Sequence, residues 1–294
     1  MAVVEQPAES SIPVGDGRLH ALRFGDGPRI ALAAHGITGS ALAFRAVARL
    51  LPADWTLVAV DLRGRGGSAG EPGPYGLARH AEDLCAAARH LGGGAPVTLT
   101  GHSMGAYAAV RAAAARPELF DRVLLVDGGL PLPVPAGADL DALLDASLGP
   151  AIARLGMTYE SPDAYVEFFR AHPALGPHWN GDVEAYVRAD LTGPEGRLRS
   201  RVRPEAVRVD GRDLLASAAS LGEDLQRLAV DALLAYAPLG MFGEAPGMLP
   251  QELVAAWRER APGLRTELVP GANHYTILMG TGAEVVARRL TEGW

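Results

Sequence analysis

Ser103 stands in the run Thr100-Gly101-His102-Ser103-Met104-Gly105, between a β-prone apolar segment (97–99) and an alanine-rich, helix-prone segment (106–115). The order strand, tight turn, helix puts the serine at the turn. There its hydroxyl stands above the end of a sheet, and residues two positions either side crowd the turn unless they are glycine. A serine between glycines also fits a plain helix N-cap. Nucleophilic chemistry asks for more, because a serine hydroxyl at its own pKa needs a base within hydrogen-bond reach and an acid to orient that base. The chain offers eight histidines. None lies in His-x-x-x-His or His-Glu-x-x-His spacing, so they form no metal pattern and no metal or other cofactor is expected.

The elements that must position these groups alternate. Short apolar runs at 29–34, 56–60, 123–126, 232–236 and 265–269 read as strands, several of them buried on both faces, and 19–24 is a further strand candidate. Helices are expected at 41–51, 76–91, 106–115, 251–260 and 282–290. Gly25-Asp26-Gly27-Pro28 reads as a hairpin-type turn, and residues 1 to about 15 as a loose arm. Strand–helix alternation at this spacing predicts a mostly parallel, doubly wound α/β sheet with right-handed crossovers. Between 131 and 228 the pattern changes. Prolines 131, 133 and 135 lead into helical segments at 140–148, 163–171, 183–191 and 204–219 without strand signals.

Composition bounds the function. The 294 residues carry a formal charge of −7 and are 48% hydrophobic, enough for a sizeable core. With a pI near 5.6 and no basic run, a nucleic-acid or anionic-membrane partner is not expected. The N-terminal dozen residues lack the basic start and apolar core of a secretory signal, and no apolar stretch is long enough to span a bilayer, which points to a cytoplasmic protein. Cys85 is the single cysteine, so no internal disulfide forms, and its alanine-rich surroundings suit a buried helix position.

With His35-Gly36 upstream and His274 downstream, the run around Ser103 resembles the nucleophile elbow of the α/β-hydrolase family. Asp61-Leu62-Arg63-Gly64-Arg65-Gly66-Gly67-Ser68 is similar to the family's Asp-x-Arg-Gly-x-Gly-x-Ser block, which fixes a loop beside the active site, so Asp61 and Arg63 stay outside the catalytic set. The resemblance implies a core made of 1–130 and 229–294 with an inserted helical cap at 131–228. It implies Ser103 as nucleophile, His274 as general base, and the main-chain N–H groups of Ile37 and Met104 as the oxyanion hole. The family's usual acid position, in a pattern like Leu-Leu-x-x-Gly-x-x-Asp, falls on Gly240 and is empty. Two substitutes remain: Asp127, at a strand end 24 residues after Ser103, and Glu244 in the loop beyond Gly240. Asp127 is favoured because a strand end holds a side chain better than a Pro/Gly-rich loop. His35, Trp179, Tyr186 and Phe168 are candidate substrate contacts, with His35 also suited to a structural hydrogen bond. His20, His80 and His90 read as surface residues.

The resemblance thus implies a cofactor-independent serine hydrolase that cleaves a largely apolar carboxylic ester or lactone through an acyl-enzyme. A thioesterase or C–C bond hydrolase with the same triad, or a non-catalytic receptor on the same fold, are the alternatives. Serine at the elbow argues against epoxide-hydrolase or haloalkane-dehalogenase chemistry, which needs aspartate there.

Overall fold

The computed structural model describes residues 7–294. Its chain enters through a hairpin of β1 (Ala8–Val14) and β2 (Gly17–Phe24), then continues through β3 (Arg29–Ala34), α1 (Arg45–Ala48), β4 (Trp55–Val60), α2 (Leu77–Gly92), β5 (Val97–His102), α3 (Met104–Ala115) and β6 (Phe120–Val126). An inserted segment follows, with α4 (Leu140–Leu155), α5 (Pro162–Arg170), α6 (Gly181–Ala189), β7 (Leu191–Thr192), β8 (Arg199–Ser200), α7 (Pro204–Ala216) and α8 (Ala218–Gln226). The chain then returns as β9 (Asp231–Tyr236), α9 (Gln251–Arg260), β10 (Leu264–Leu268), α10 (Thr276–Met279) and α11 (Ala283–Thr291).

Eight strands form one sheet in the order β1-β2-β4-β3-β5-β6-β9-β10. From β4 to β10 neighbouring strands pair in parallel, and only the β1–β2 and β2–β4 pairs are antiparallel. Parallel strands need helical crossovers, and these cover both faces, so β4 and β5 are buried along their whole length. One core lies between the sheet and α2, α3, α8 and α9; the other lies between the sheet and α1, α10 and α11. The order reverses at β3: β4 lies on one side of it and β5 on the other. The loops leaving β3 and β5 therefore diverge and open a crevice at their carboxyl ends, where doubly wound sheets bind ligands.

The inserted segment is tied to the core by buried charge. Asp210 of α7 meets the fully buried Arg65 at 2.5 Å and His80 Nε2 at 3.0 Å, and accepts from the Gly76 N–H at 2.6 Å. On the other side Arg49 donates to Asp182 of α6 at 2.7 Å, and Asn180 Nδ2 donates to the Met279 carbonyl at 2.8 Å. In the Asp61 block, the Asp61 carboxylate accepts from the Ala41 and Gly67 N–H groups and from His20 Nδ1.

Several expectations change. Residues 8–14 of the supposed loose arm are β1, because Ile12 and Val14 have an apolar face to bury against α2; residues 1–6 lie outside the described residues. The hairpin turn is Gly15-Asp16, closing Val14 onto Gly17, whereas residues 25–28 carry the chain past β4 to β3. His80 is fully buried and His20 partly so, each held by an aspartate, which spacing alone does not reveal. The helix expected at 41–51 is a 3₁₀ turn (Ala41–Phe44) followed by the single turn α1. The 204–219 helix breaks at Ser217 into α7 and α8, and the β7–β8 ribbon interrupts the all-helical reading of the insertion.

Candidate active site

Ser103 sits between the last residue of β5 and the first of α3 at φ 52°, ψ −123°. Among the described residues the only non-glycine positions with positive φ are Ser103 and Asp127. Such a conformation costs of order 1–3 kcal/mol, and surrounding packing must hold it. That packing is visible. The Ser103 N–H donates to the Val126 carbonyl at 2.9 Å, and the Asp127 N–H to the Ala235 carbonyl at 2.8 Å. A Cβ at Gly101 would run into the Gly105 main chain, and one at Gly105 into the Ala34 carbonyl. The glycines thus let helix α3 press onto the ends of β3 and β5.

The hydroxyl, an imidazole and a carboxylate meet at this edge. His274 Nε2 lies 3.1 Å from Ser103 Oγ, and His274 Nδ1 lies 2.6 Å from Asp127 Oδ2. An ionised carboxylate only accepts, so Nδ1 carries the proton and Nε2 is left to accept from the serine. The other Asp127 oxygen accepts from the Ala237 N–H at 3.0 Å. Asp127 and His274 are buried, while Ser103 stays partly exposed. Glu244 is exposed, with no side-chain hydrogen bond among the described residues. The strand end of β6 thus delivers its carboxylate to the imidazole, and the loop beyond Gly240 does not.

Two positioning residues escaped the sequence reading. The His102 Nε2 donates to the His274 carbonyl at 2.8 Å, with the two rings 4.7 Å apart. Burial, helped by the proximity of His274, holds His102 well below the usual histidine range, so it is a neutral donor. Asn273 closes the loop itself: its Oδ1 accepts from the Tyr275 and Thr276 N–H groups at 2.9 Å, and its Nδ2 donates to Ala174 of the insertion at 2.8 Å. The signal available in sequence was an Asn beside the candidate base, a residue type that bonds its own backbone two residues on.

The Ile37 N–H has no protein acceptor among the described residues. Its carbonyl is held by Arg65 Nε at 3.0 Å, the same arginine that meets Asp210. Met104 opens α3, where the first-turn N–H groups lack intrahelical partners. His35 is fully buried, donating from Nδ1 to the Gly36 carbonyl at 2.7 Å and accepting at Nε2 from the Leu62 N–H at 3.0 Å. Desolvation lowers its pKa to about 4, so it too is neutral.

A cavity of about 140 Å³ opens onto Ser103 and His274. Its walls come from the loop after β3, from α4, α6 and α7 of the insertion, and from Met241 and Met248. They are mostly apolar. No arginine reaches it. Tyr186 lines this cavity. Phe168 lines a second cavity beyond it, and Trp179 faces an outer groove beside Arg49 and Asn180. His35 lines none of the three, so neither His35 nor Trp179 reaches the cavity over Ser103 where substrate contacts were expected: His35 is buried, bonded to the Gly36 carbonyl and the Leu62 N–H, and the Trp179 Nε1 donates to Glu184 within the insertion at 3.3 Å. Among the described residues no group of three His, Cys, Asp or Glu side chains gathers to hold a metal, and no helix is long and apolar enough to cross a membrane.

Residues 31–289 match the family described as Alpha/beta hydrolase family. The chain is similar to 2-(acetamidomethylene)succinate hydrolase of Mesorhizobium japonicum, 28% identical over 271 residues that cover 90% of this chain and 87% of that protein. It is 39% identical to N-formylmaleamate deformylase of Pseudomonas putida over 111 residues, 37% of this chain and 41% of the relative. A crystal structure of E-2-(acetamidomethylene)succinate hydrolase shares the fold with a TM-score of 0.78 over 97% of this chain and 98% of its own, at 24% identity.

Proposed function

The chain is a hydrolase that belongs to the α/β-hydrolase family, and from that premise we propose that it cleaves a carboxylic ester or lactone by serine catalysis. The observation that carries this reading is the unbroken relay from Asp127 through His274 to Ser103, which ends in an apolar cavity. Ser103 Oγ attacks the carbonyl carbon as His274 Nε2 takes its proton. Asp127 holds the imidazole in the accepting tautomer and stabilises the imidazolium. The Ile37 and Met104 N–H groups receive the oxyanion, an interaction worth about 10²–10³ in rate per donor in enzymes of this kind. His274 returns the proton to the leaving alcohol. Water then enters, gives a proton to His274, and releases the acid from Ser103.

Residues 131–228 act here as a helical cap that excludes water from the carbonyl and shapes the cavity. Two relatives are named for N-acyl compounds, which favours a second reading, cleavage of an amide by the same residues. Their names also specify carboxylates, and this cavity offers no cation to receive one. Labelling with a fluorophosphonate followed by peptide mapping tests the proposal. Modification of Ser103, blocked by Ser103→Ala, is expected, together with turnover of simple alkyl esters. A folded chain that never reacts would leave the receptor reading in place, and turnover confined to amides would move the assignment to the second.

A further inference from the structure

A second chamber of about 120 Å³ adjoins the cavity over Ser103, and the two share wall residues including Ser147, Leu148, Tyr186, Met241 and Tyr275. The far wall of that chamber carries Phe168, Phe169 and Leu175 together with one cation, Arg154, and one anion, Asp190. Arg154 is 6% exposed. Its Nη1 donates to Asp190 Oδ2 at 3.2 Å and to the Tyr165 hydroxyl, and that hydroxyl donates to the same Asp190 oxygen at 2.5 Å. Asp190 Oδ1 accepts from Ser200 at 3.0 Å. The Arg154 guanidinium also lies 5.2 Å from the centre of the Phe169 ring. His172, also on this wall, is held by burial below its ordinary range and stacks on Phe242.

A buried guanidinium is a ready receptor for a carboxylate, but only while its charge is free. Here Asp190 pairs with it through Nη1 and offsets its charge. We propose that the chamber is the binding site for the chain of an uncharged ester, and that Asp190 determines this specificity by cancelling the charge of Arg154. The inference rests on the serine-hydrolase reading for where the ester carbonyl lies, and adds to it the class of chain that follows. An ω-carboxylate in the same chamber would be desolvated against apolar walls and Asp190 with no free cation, which disfavours it strongly.

The test compares methyl octanoate with monomethyl suberate, esters of equal chain length that differ at the far end by methyl against carboxylate. Hydrolysis is followed by acid release, and binding of both esters to Ser103→Ala is measured by calorimetry. Wild type is expected to prefer methyl octanoate by at least about tenfold in kcat/KM. Asp190→Asn, which frees the Arg154 charge, is expected to shrink that preference at least about tenfold, chiefly through the KM for monomethyl suberate. Arg154→Gln leaves the anion alone and is expected to widen the preference, and the double variant to return it near the wild-type value. Opposite shifts separate a charge effect from general loosening, which would move both variants alike. Equal handling of the two esters by wild type, or a preference unmoved in folded Asp190→Asn and Arg154→Gln, overturns the proposal. Should no ester be cleaved at all, the serine-hydrolase reading fails, and the binding preference of Ser103→Ala still decides the chamber.

Discussion

Replacing Asp127 with asparagine keeps the shape of the side chain and removes its charge. Asp127 spends one oxygen on the Ala237 N–H at 3.0 Å and the other on His274 Nδ1 at 2.6 Å. An amide has one oxygen and one NH₂, so it meets both partners only if the oxygen stays with Ala237 and the NH₂ turns to the imidazole. His274 must then accept at Nδ1 and carry its proton on Nε2, facing Ser103 Oγ with a donor where a base is needed. The opposite orientation keeps the right tautomer but sets two buried donors against each other, at about 1–3 kcal/mol. The first arrangement is therefore preferred, and the fold survives while the base is lost. A misplaced tautomer in such a triad lowers kcat by about 10⁴, or about 5 kcal/mol of barrier. Hydrolysis of p-nitrophenyl butyrate by Asp127→Asn should show this loss with little change in KM, at an unfolding free energy within about 1 kcal/mol of wild type. Glu244→Gln should stay within about twofold of wild type. If Asp127→Asn keeps a tenth or more of wild-type kcat, or if Glu244→Gln is the crippled variant, the relay drawn through Asp127 is refuted.

Gly105→Ala forces a methyl into the Ala34 carbonyl, a main-chain atom that cannot rotate away, and should cost several kcal/mol or abolish soluble expression; thermal unfolding measures it. Asp210→Asn strips the fully buried Arg65 of its carboxylate and should destabilise the protein by about 3–5 kcal/mol, with the inserted segment becoming the first site of limited proteolysis. His35 has a folded pKa of about 4, below its unfolded value, so its neutral form contributes stability that is fully present above about pH 6.5 and is lost as pH falls toward 4. That loss amounts to about 3 kcal/mol, visible as a falling denaturant midpoint, and His35→Gln should flatten the profile across that window.

Much of this was legible in the residues. Short apolar runs alternating with helical segments specify a parallel sheet because each strand must be covered on both faces, and every such run from 29 to 269 found a place in it. Gly101 and Gly105 marked the turn at Ser103 because only glycine permits the main-chain contacts made there. Local signals failed where a polar side chain answers to a distant partner. His80 looks like a surface residue until Asp210, 130 positions away, is seen to meet it. His102 looks like a bystander until its ring reaches the His274 carbonyl, and Arg154 gives no sign of its pairing with Asp190.

By itself, the sequence determined the layered α/β architecture, the strand–turn–helix at Ser103 and the histidine in the loop after the last strand, since periodicity, helix propensity and glycine sterics act between near neighbours. Only the tertiary structure set Asp127 and not Glu244 beside His274, drew Asn273 and His102 around that imidazole, and set a second chamber against the cavity over the serine. Those outcomes depend on where separate strand ends and an inserted helical segment meet in space, and a hydrogen bond made across more than a hundred residues leaves no local pattern to read.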